Sequence, residues 1–382
     1  MPSVRPIDLD YHSTTPCDRR VAALVLDYMT EKFGNPSSID HSYGDVADVA
    51  VKQASQNIAE LIQAKPREII FTSGATESIN LVLRGLPTSY PQKIAIMPVE
   101  HKAVLDTCAA LEQKGLAEIV ILPVDDRGRL DLETVEKACS QGLSLLCVMA
   151  ANNEIGNIYP VEAIAKIAQR YTIPFLCDAS QAVGKILINF SDWGISYLAI
   201  SGHKLYAPKG IGALVIRKGL QLQPLLYGGG QQQKLRPGTL NVPGIVGLGE
   251  TCRLRQLEME DDEKLIAQKR DHLQTLLQQN IPNLVINGDL ENRLAGNLHI
   301  SIPGIPNKAI IARIRHQLSI STGSACTSGV ESPSHVLRAI ALPTSYQEAA
   351  LRIGIGKFTT NTEINQAANI LNQVVKDITK SV

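Results

Sequence analysis

The sequence has neither an excess of charge of one sign nor a long hydrophobic run. Lys plus Arg and Asp plus Glu each total 37 in 382 residues, so bulk electrostatic attraction to nucleic acid or to an anionic membrane is not expected. The longest apolar runs, such as 143–151, fall well short of the roughly 20 residues that span a bilayer. Residues 1–10 mix charge and proline without an apolar signal core, so a cytoplasmic protein is predicted.

Cysteine pairs with metal-site spacing are also absent. No CxxC pair occurs among the seven cysteines, which stand at positions 17, 108, 139, 147, 177, 252 and 326. An odd number leaves at least one thiol unpaired, and scattered cysteines without zinc-finger spacing favour a reducing compartment. No metal site is therefore predicted.

The first two thirds of the chain alternates short apolar runs with helical patterns. Apolar residues at three- and four-residue spacing predict helices over 103–114 and 161–171. The alternation predicts an α/β fold with a mostly parallel sheet that is covered by helices. The runs that predict its strands are 68–72, 93–97, 118–122, 144–150, 174–178, 195–201 and 211–216.

The last third of the chain has a different texture. A charged stretch of about 30 residues from Thr251 has helical periodicity and predicts a connecting helix. We therefore predict a large α/β domain over 13–250 and a smaller α+β domain formed by 1–12 and 251–382. Within the smaller domain, strands are predicted over 283–288, 297–302, 318–321 and 350–355, and helices over 308–317, 334–341 and 362–376.

Three strand ends carry polar residues that are suited to chemistry. At the first, 71–78, a strand turns into a helix. Free backbone N–H groups around Gly74 and Ala75, the positive end of the helix dipole and the hydroxyl of Thr76 would suit a phosphate there. Ordinary capping of the helix is the alternative interpretation.

The second and third strand ends supply a carboxylate and an amine. Asp178 and Gln181 follow an apolar strand, at the end where open α/β sheets bind ligands, although a helix cap would explain them as well. Lys204 follows another apolar strand, so its amine can be partly desolvated and activated to form a Schiff base; a surface lysine is the alternative. A phosphate cradle, a carboxylate for a pyridinium nitrogen and a reactive amine are the parts that pyridoxal 5′-phosphate requires.

With further motifs along nearly the whole chain, these strand ends resemble the class V aminotransferase-fold enzymes, most closely the cysteine desulfurases of the NifS/IscS type. The resemblance implies the fold type I of pyridoxal-phosphate-dependent transferases, a homodimer, and conversion of L-cysteine to L-alanine. The further motifs are DYHSTTP at 10–16, FGNPSS at 33–38, VEHKAV at 99–104 and NNEIG at 152–156.

The resemblance also implies a role for each cofactor-binding residue. Lys204 would hold the cofactor as a Schiff base, Asp178 would pair with the pyridinium nitrogen, and Gln181 would contact the phenolate oxygen. His101 would stack on the ring and is a candidate acid or base. The neighbouring subunit would contribute Thr239. The expected phosphate ligands are Thr76, Ser201 and His203, beside Gly74 and Ala75.

The substrate is expected to meet Arg352, Asn153 and Cys326. By resemblance, the planar fork of Arg352 binds the substrate carboxylate in two places and Asn153 adds a second contact. A strand arginine and an asparagine turn are their ordinary interpretations. Cys326 lies among small polar residues, in a loop over about 321–333 that we expect to be mobile, whereas Cys147 and Cys177 lie in strand-like runs. It is the expected persulfide carrier.

The far end of that loop has its own helix signal. Ser332 is expected to cap the helix over 334–341, and Pro333 to occupy its first turn. A swinging loop would let the Cys326 thiol attack substrate sulfur inside the cleft and then present it to an acceptor outside. An iron–sulfur scaffold protein is a plausible acceptor, but the loop residues 329–332 and the stretch 353–357 differ from many relatives and leave the acceptor open.

Two other functions remain open. A selenocysteine lyase, or a related carbon–sulfur or carbon–selenium lyase, would use the same cofactor and Arg352 but would depend less on a loop thiol. A non-catalytic binding subunit could share the fold, but would have no reason to keep Lys204, Asp178, Arg352 and Cys326 together.

Overall fold

A computed structural model describes residues 5–87, 91–323 and 334–380 of the chain. Its strands are β1 (Ile7–Asp8), β2 (Ile69–Thr72), β3 (Gln92–Ile96), β4 (Ala117–Ile121), β5 (Leu145–Met149), β6 (Phe175–Asp178), β7 (Tyr197–Ser201), β8 (Gly212–Ile216), β9 (Val285–Ile286), β10 (Asn297–Ser301), β11 (Leu318–Ser319) and β12 (Ala350–Gly354). Its α-helices are α1 (Arg19–Thr30), α2 (Ser42–Ile62), α3 (Ala75–Gly85), α4 (Lys102–Gln113), α5 (Leu132–Ser140), α6 (Val161–Arg170), α7 (Phe190–Trp193), α8 (Val242–Asn280), α9 (Asn307–Ile314), α10 (His335–Ala339), α11 (Thr344–Gln347) and α12 (Asn361–Lys380).

The larger sheet has seven strands in the order β2-β8-β7-β6-β5-β3-β4. Its neighbouring strands are parallel, except where β8 pairs with β2 and β7. The prediction of a mostly parallel seven-stranded sheet is therefore confirmed, and each observed strand overlaps its predicted run. Strands β5 to β8 are buried at every position, which is why they read as continuous apolar runs rather than as an alternating pattern.

The connecting helix α8 begins at Val242, so the predicted start near Thr251 is wrong. Asn241 caps it, because its Oδ1 accepts the N–H of Gly244 at 3.1 Å. Glycine costs about 1 kcal/mol in a helix relative to alanine, so the glycines in the first turns of α8 argued against a helix there. Gly249 is instead needed for packing against α2, because a Cβ there would lie 2.5 Å from Cα of Ala54. The predicted domain border at 250/251 falls inside this helix, and the division into two domains stays a prediction.

A second hydrophobic cluster surrounds the smaller three-stranded sheet, whose order is β12-β10-β9. This sheet is antiparallel, and β1 pairs in parallel with β11 beside it. Helix α10 packs its Val336 and Leu337 in the main hydrophobic cluster together with strands of the larger sheet. Among the described helices, none is both long and apolar enough to cross a membrane.

Apart from β12, which carries Arg352, the strands that lead to the predicted site residues end at one edge of the larger sheet. Thr72 at the end of β2 and Ser201 at the end of β7 both pair with Gly212 of β8, which lies between them. Gly212 cannot carry a side chain, because a Cβ there would lie 2.4 Å from the main-chain oxygen of Ile200 and 2.6 Å from Cα of Gly74. This close approach brings the turn before α3 against the end of β7.

Candidate active site

A cavity of about 460 Å³ opens at this edge of the sheet. Thr239 is exposed and is not part of the cavity wall. Cys326 falls in a part of the chain that the structure does not describe. The remaining predicted site residues all line the cavity: Gly74, Ala75, Thr76, His101, Asn153, Asp178, Gln181, Ser201, His203, Lys204 and Arg352.

One end of the cavity is formed by the start of α3. Gly74 is the N-cap residue with a φ of 154°, a conformation that favours glycine, and no side chain caps the helix. The turn before the helix is held by a 2.9 Å hydrogen bond between the hydroxyls of Thr72 and Ser78. Uncapped N–H groups and the helix dipole make this end suitable for an anion.

Lys204 enters the cavity from a short 3-10 turn, Gly202–Lys204, that follows β7. Its Nζ donates hydrogen bonds to the main-chain oxygens of His12 at 2.7 Å and Ser13 at 2.6 Å. Neighbouring His203 has its Nδ1 3.1 Å from the hydroxyl of Thr14. Burial, with the charges of Lys204 and Lys209, lowers the pKa of His203 to about 4, so this ring is neutral at physiological pH.

Asp178 and Gln181 stand at the end of β6. The Oδ1 atom of buried Asp178 accepts hydrogen bonds from the N–H and the hydroxyl of Ser180, at 2.9 and 2.5 Å. The amide of Gln181 donates from Nε2 to the main-chain oxygen of His12 at 2.9 Å and accepts at Oε1 from Lys185 Nζ at 2.9 Å. Both side chains are thus held in place before any ligand is considered.

His101 is the N-cap residue of α4, and its Nδ1 accepts the N–H of Ala103 at 3.1 Å. An acceptor Nδ1 means that the neutral ring carries its proton on Nε2. Behind it, buried Glu100 accepts the N–H of Met149 at 2.9 Å, and burial raises the pKa of this carboxyl well above its usual range. The sequence predicted that His101 belongs to the site. Which ring nitrogen carries the proton follows only from the hydrogen bond that Nδ1 accepts at the start of α4.

Arg352, at the centre of β12, is buried at the opposite wall of the cavity. Its Nη2 pairs with Asp10 Oδ1 at 2.9 Å and its Nη1 donates to the main-chain oxygen of Asn153 at 3.0 Å. Its Nε is buried and has no hydrogen-bond partner in the described part of the chain. A buried guanidinium with an unused N–H is suited to a carboxylate ligand.

The residues on either side of 324–333 are tied to the same wall. Ser321 exchanges two main-chain hydrogen bonds with Arg352, at 3.2 and 2.7 Å. On the far side, Ser334 donates from its hydroxyl to Glu154 at 2.5 Å and accepts the N–H groups of Val336 and Leu337. Ser334 is therefore the cap of α10, and the prediction of Ser332 as its cap is wrong. Ser334 rather than Ser332 is the cap because the buried carboxylate of Glu154 holds the Ser334 hydroxyl in place.

Two residues that line or support the site received no role from the sequence. His12 is buried in the cavity wall, and its Nε2 has no partner among the described residues. Asp10 balances the charge of Arg352. Both belong to the DYHSTTP motif, which was a usable signal, but only the folded chain shows which atoms of that motif meet Lys204 and Arg352.

The residues fit pyridoxal 5′-phosphate. An uncapped helix start, a buried carboxylate, an amine and a buried N–H without a partner lie around one cavity, and these are the donors and acceptors that the phosphate, the ring nitrogen, the aldehyde and a substrate carboxylate need. Within the described residues, no cluster of three or more His, Cys, Asp or Glu side chains is placed to hold a metal ion.

Residues 7–367 match the family model Aminotransferase class-V. The chain belongs to this family, in its NifS/IscS branch. It is 44% identical to the cysteine desulfurase IscS of Rickettsia typhi and to that of Ehrlichia chaffeensis, in each case over 98% of this chain and 92% of the relative. The solved structure of a NifS-like protein superposes with a TM-score of 0.89 at 33% identity, covering 98% of this chain and 100% of that one.

Membership of the family confirms two predictions. The α/β fold is that of the pyridoxal-phosphate-dependent NifS-like proteins, and the predicted cofactor is the one that the family uses. The individual roles assigned to the site residues stay predictions, because the comparisons give no residue roles.

Proposed function

We propose that this chain is a cysteine desulfurase, which converts L-cysteine to L-alanine and captures the sulfur as a persulfide on Cys326. The observation that carries the proposal is the cavity, in which Lys204, Asp178 and Arg352 meet from three separate parts of the chain. The full-length similarity to IscS cysteine desulfurases supports the same activity.

Residues at the edge of the larger sheet would bind the cofactor. The start of α3, with Thr76, Ser201 and His203, would bind the phosphate, and Asp178 would hold a proton on the ring nitrogen. The bound cofactor supplies an electron sink that makes bonds at the substrate's α and β carbons easier to break. His101 lines the same cavity and would cover the ring.

Arg352 and Asn153 would orient the substrate. The unused Nε of Arg352 and its Nη groups can face the two oxygens of an amino-acid carboxylate. Asp10 holds this guanidinium in position through their 2.9 Å ion pair, in which the Arg352 side chain is shielded from water. The substrate's sulfur would then point away from Arg352 along the cavity.

Proton transfers fall to Lys204 and His101. The Lys204 amine would take a proton from the substrate's α carbon and return one to the product. The two main-chain carbonyls that hold its Nζ are neutral acceptors and do not fix its protonation state. His101, with Nδ1 occupied as an acceptor, can deliver or receive a proton at Nε2.

The sulfur itself would pass to Cys326. Its thiolate attacks the substrate sulfur, the carbon–sulfur bond breaks, its electron pair stays on carbon, and protonation of carbon yields alanine. The described residues on either side of this segment support the role. Ser321 is paired with Arg352, and Ser334 is bonded to Glu154, the neighbour of Asn153.

We further propose a homodimer. Helices α1 and α2 and the segment between them expose a set of large apolar side chains, and such patches mark protein contacts. Thr239, which is exposed away from the cavity of its own chain, would complete the site of the second copy. The exposed apolar residues are Leu26, Met29, Phe33, Ile39, Tyr43, Val46 and Val49.

The sulfur acceptor and the compartment are also proposals. An iron–sulfur scaffold protein is the acceptor that the NifS/IscS relationship favours. The cysteines of the described residues all carry free thiols, which supports a reducing compartment such as the cytoplasm.

The test is to incubate the purified chain, loaded with pyridoxal 5′-phosphate, with L-cysteine and a reductant and to measure alanine and sulfide. We expect equal amounts of both from the unchanged chain and neither from Cys326→Ala, which should still bind the cofactor. Cys17→Ala is the matched control, because the Cys17 thiol is partly accessible and lies outside the cavity.

Two results would decide against the proposal. If the unchanged, loaded chain releases no alanine, the activity is wrong. If Cys326→Ala turns over cysteine and selenocysteine at unchanged rates, the persulfide route is wrong and the lyase alternative takes its place.

A further inference from the structure

A small second cavity lies directly behind the active site. Its volume of about 10 Å³ is about the space that one water molecule needs. Lys185 and Glu263 face it from opposite elements, since Lys185 follows β6 and Glu263 lies on α8. His12 lines both this cavity and the active-site cavity and therefore forms part of the wall between them.

Lys185 is connected to the active site through Gln181. Its Nζ donates to Gln181 Oε1 at 2.9 Å, and the Nδ1 of His12 lies 3.4 Å from the same oxygen. The Nε2 group of Gln181 donates one of its hydrogens to the main-chain oxygen of His12 at 2.9 Å. With Oε1 engaged by two donors, the side of the amide that remains for a ligand is the second N–H of Nε2.

This arrangement removes an ambiguity that a glutamine ordinarily has. A free glutamine amide can turn over and present either an acceptor or a donor to its surroundings. A carbonyl turned toward a phenolate oxygen would repel it, whereas an N–H stabilises it. The orientation of Gln181 therefore matters for the part of the cofactor that this residue is expected to contact.

We propose that Lys185 is a positioning residue, which holds the amide of Gln181 with an N–H toward the phenolate oxygen of the cofactor, and that Glu263 across the small cavity is its counter-charge. The proposal rests on the proposed function, since the contact between Gln181 and the cofactor belongs to it.

The charges around Lys185 agree with this role. The titratable groups facing it are Glu263, whose pKa burial raises to about 7, and Arg255 from α8 and Lys204 from the end of β7, with Tyr11, His12 and Tyr206 completing the surroundings. Burial, opposed by Glu263, lowers the pKa of Lys185 to about 7. The Oε1 atom of Glu263 also accepts a hydrogen bond from Arg255 at 3.0 Å. Without Glu263, the buried ammonium of Lys185 would lose its proton more readily.

The proposal predicts a spectroscopic effect. An N–H donated to the phenolate oxygen stabilises its negative charge and so makes protonation of the conjugated Schiff-base nitrogen less favourable. Loss of that donor should raise the pH at which the bound cofactor changes its absorption. A hydrogen bond of this kind corresponds to a three- to tenfold change in an equilibrium constant, roughly.

The experiment is a double-mutant cycle with Lys185→Met and Gln181→Leu, each chain reconstituted with pyridoxal 5′-phosphate. The readouts are the pH of the absorption change and the dissociation constant of the cofactor from the otherwise cofactor-free chain. We expect Lys185→Met to raise the pH of the absorption change by about 0.5 to 1 unit and the dissociation constant by about three- to tenfold in the native background, but to have much smaller effects beside Gln181→Leu. Lys166→Met, on the exposed face of α6, is the control and should change neither.

Equal effects of Lys185→Met in both backgrounds, or no effect in the native one, would overturn the proposal, because Lys185 would then not act through Gln181. If the unchanged chain does not bind the cofactor, both the proposed function and the role of Lys185 are wrong. Should Lys185→Met not fold, Glu263→Gln replaces it in the cycle. Removing the counter-charge should shift the absorption change in the same direction, and again only when Gln181 is present.

Discussion

The side-chain nitrogen of Lys204 lies 2.7 Å from the main-chain oxygen of His12. That oxygen also accepts the amide N–H of Gln181 at 2.9 Å. Two side chains that are expected to contact different atoms of the cofactor therefore share one anchor in the turn at the start of the chain. Because a carbonyl is uncharged, this anchor orients the amine of Lys204 without forming an ion pair with it.

Replacing Lys204 by alanine should abolish turnover while leaving the fold in place. Loss of the amine that attaches the cofactor and transfers protons should lower kcat by at least about 10²-fold. Alanine formation and the absorption spectrum of the reconstituted chain measure the effect. Lys209→Ala is the matched control, because Lys209 lines the same cavity but is exposed. Equal losses in both variants would contradict the special role of Lys204.

Replacing Arg352 by lysine should raise the KM for L-cysteine more than it lowers kcat. Lysine keeps the charge but cannot offer two parallel N–H groups to a carboxylate, so a roughly 10- to 100-fold rise in KM is expected from the loss of a hydrogen bond to a charged group. Steady-state kinetics of alanine formation provide the measurement. Arg313→Lys, at an exposed position of α9, serves as control. A KM that stays the same would mean that the substrate carboxylate binds elsewhere.

Replacing Gly212 by alanine should damage the phosphate end of the site. The new Cβ would lie within 2.6 Å of main-chain atoms of Ile200 and Gly74, which can give way only by moving β2 and β7 apart. Overpacking of this kind costs about 1–3 kcal/mol in the free energy of unfolding, and we also expect weaker cofactor binding.

Urea unfolding and cofactor titration measure both effects of the Gly212 substitution. Gly230→Ala is the control, since a Cβ at Gly230 would meet no atom within 4 Å. Native stability and cofactor affinity in Gly212→Ala would show that the close approach of the two strands is not required.

His299 should make the stability of the chain depend on pH below neutrality. Burial, with the charge of Arg352, lowers the pKa of this ring to about 3, whereas an unfolded histidine has a pKa near 6.5. Between these values the unfolded chain binds the extra proton, so the free energy of unfolding falls as the pH is lowered from 6.5 toward 3. The contribution of this one group amounts to about 2 kcal/mol between pH 7 and pH 5.

Urea unfolding of the cofactor-free chain at several pH values tests this effect. His299→Gln should remove about that much of the pH dependence, while His316→Gln, at an exposed position, should leave it unchanged. An equally steep pH dependence in His299→Gln would assign it to other groups, such as His12 and His203, whose pKa values burial also lowers.

Helices α1 and α2 show where sequence patterns failed. They were not predicted, because apolar residues such as Leu26, Met29, Val46 and Val49 are exposed and blur the one-sided periodicity of a surface helix. The pattern of apolar residues looks irregular for a surface helix of a single chain, but it is the pattern expected if a second copy covered this face. The missed start of α8 has a related cause, since Gly249 serves packing against α2 rather than flexibility.

What the sequence determined by itself is the order of the strands along the chain and the polar residues at their ends. Buried parallel strands must be continuously apolar, so Asp178 and Lys204 stand out where each run stops. Tertiary structure alone decided which distant atoms complete these residues: the carbonyl of His12 for Lys204 and Gln181, and Asp10 for Arg352. Such pairings depend on how the chain returns to one sheet edge, and local spacing carries no record of that.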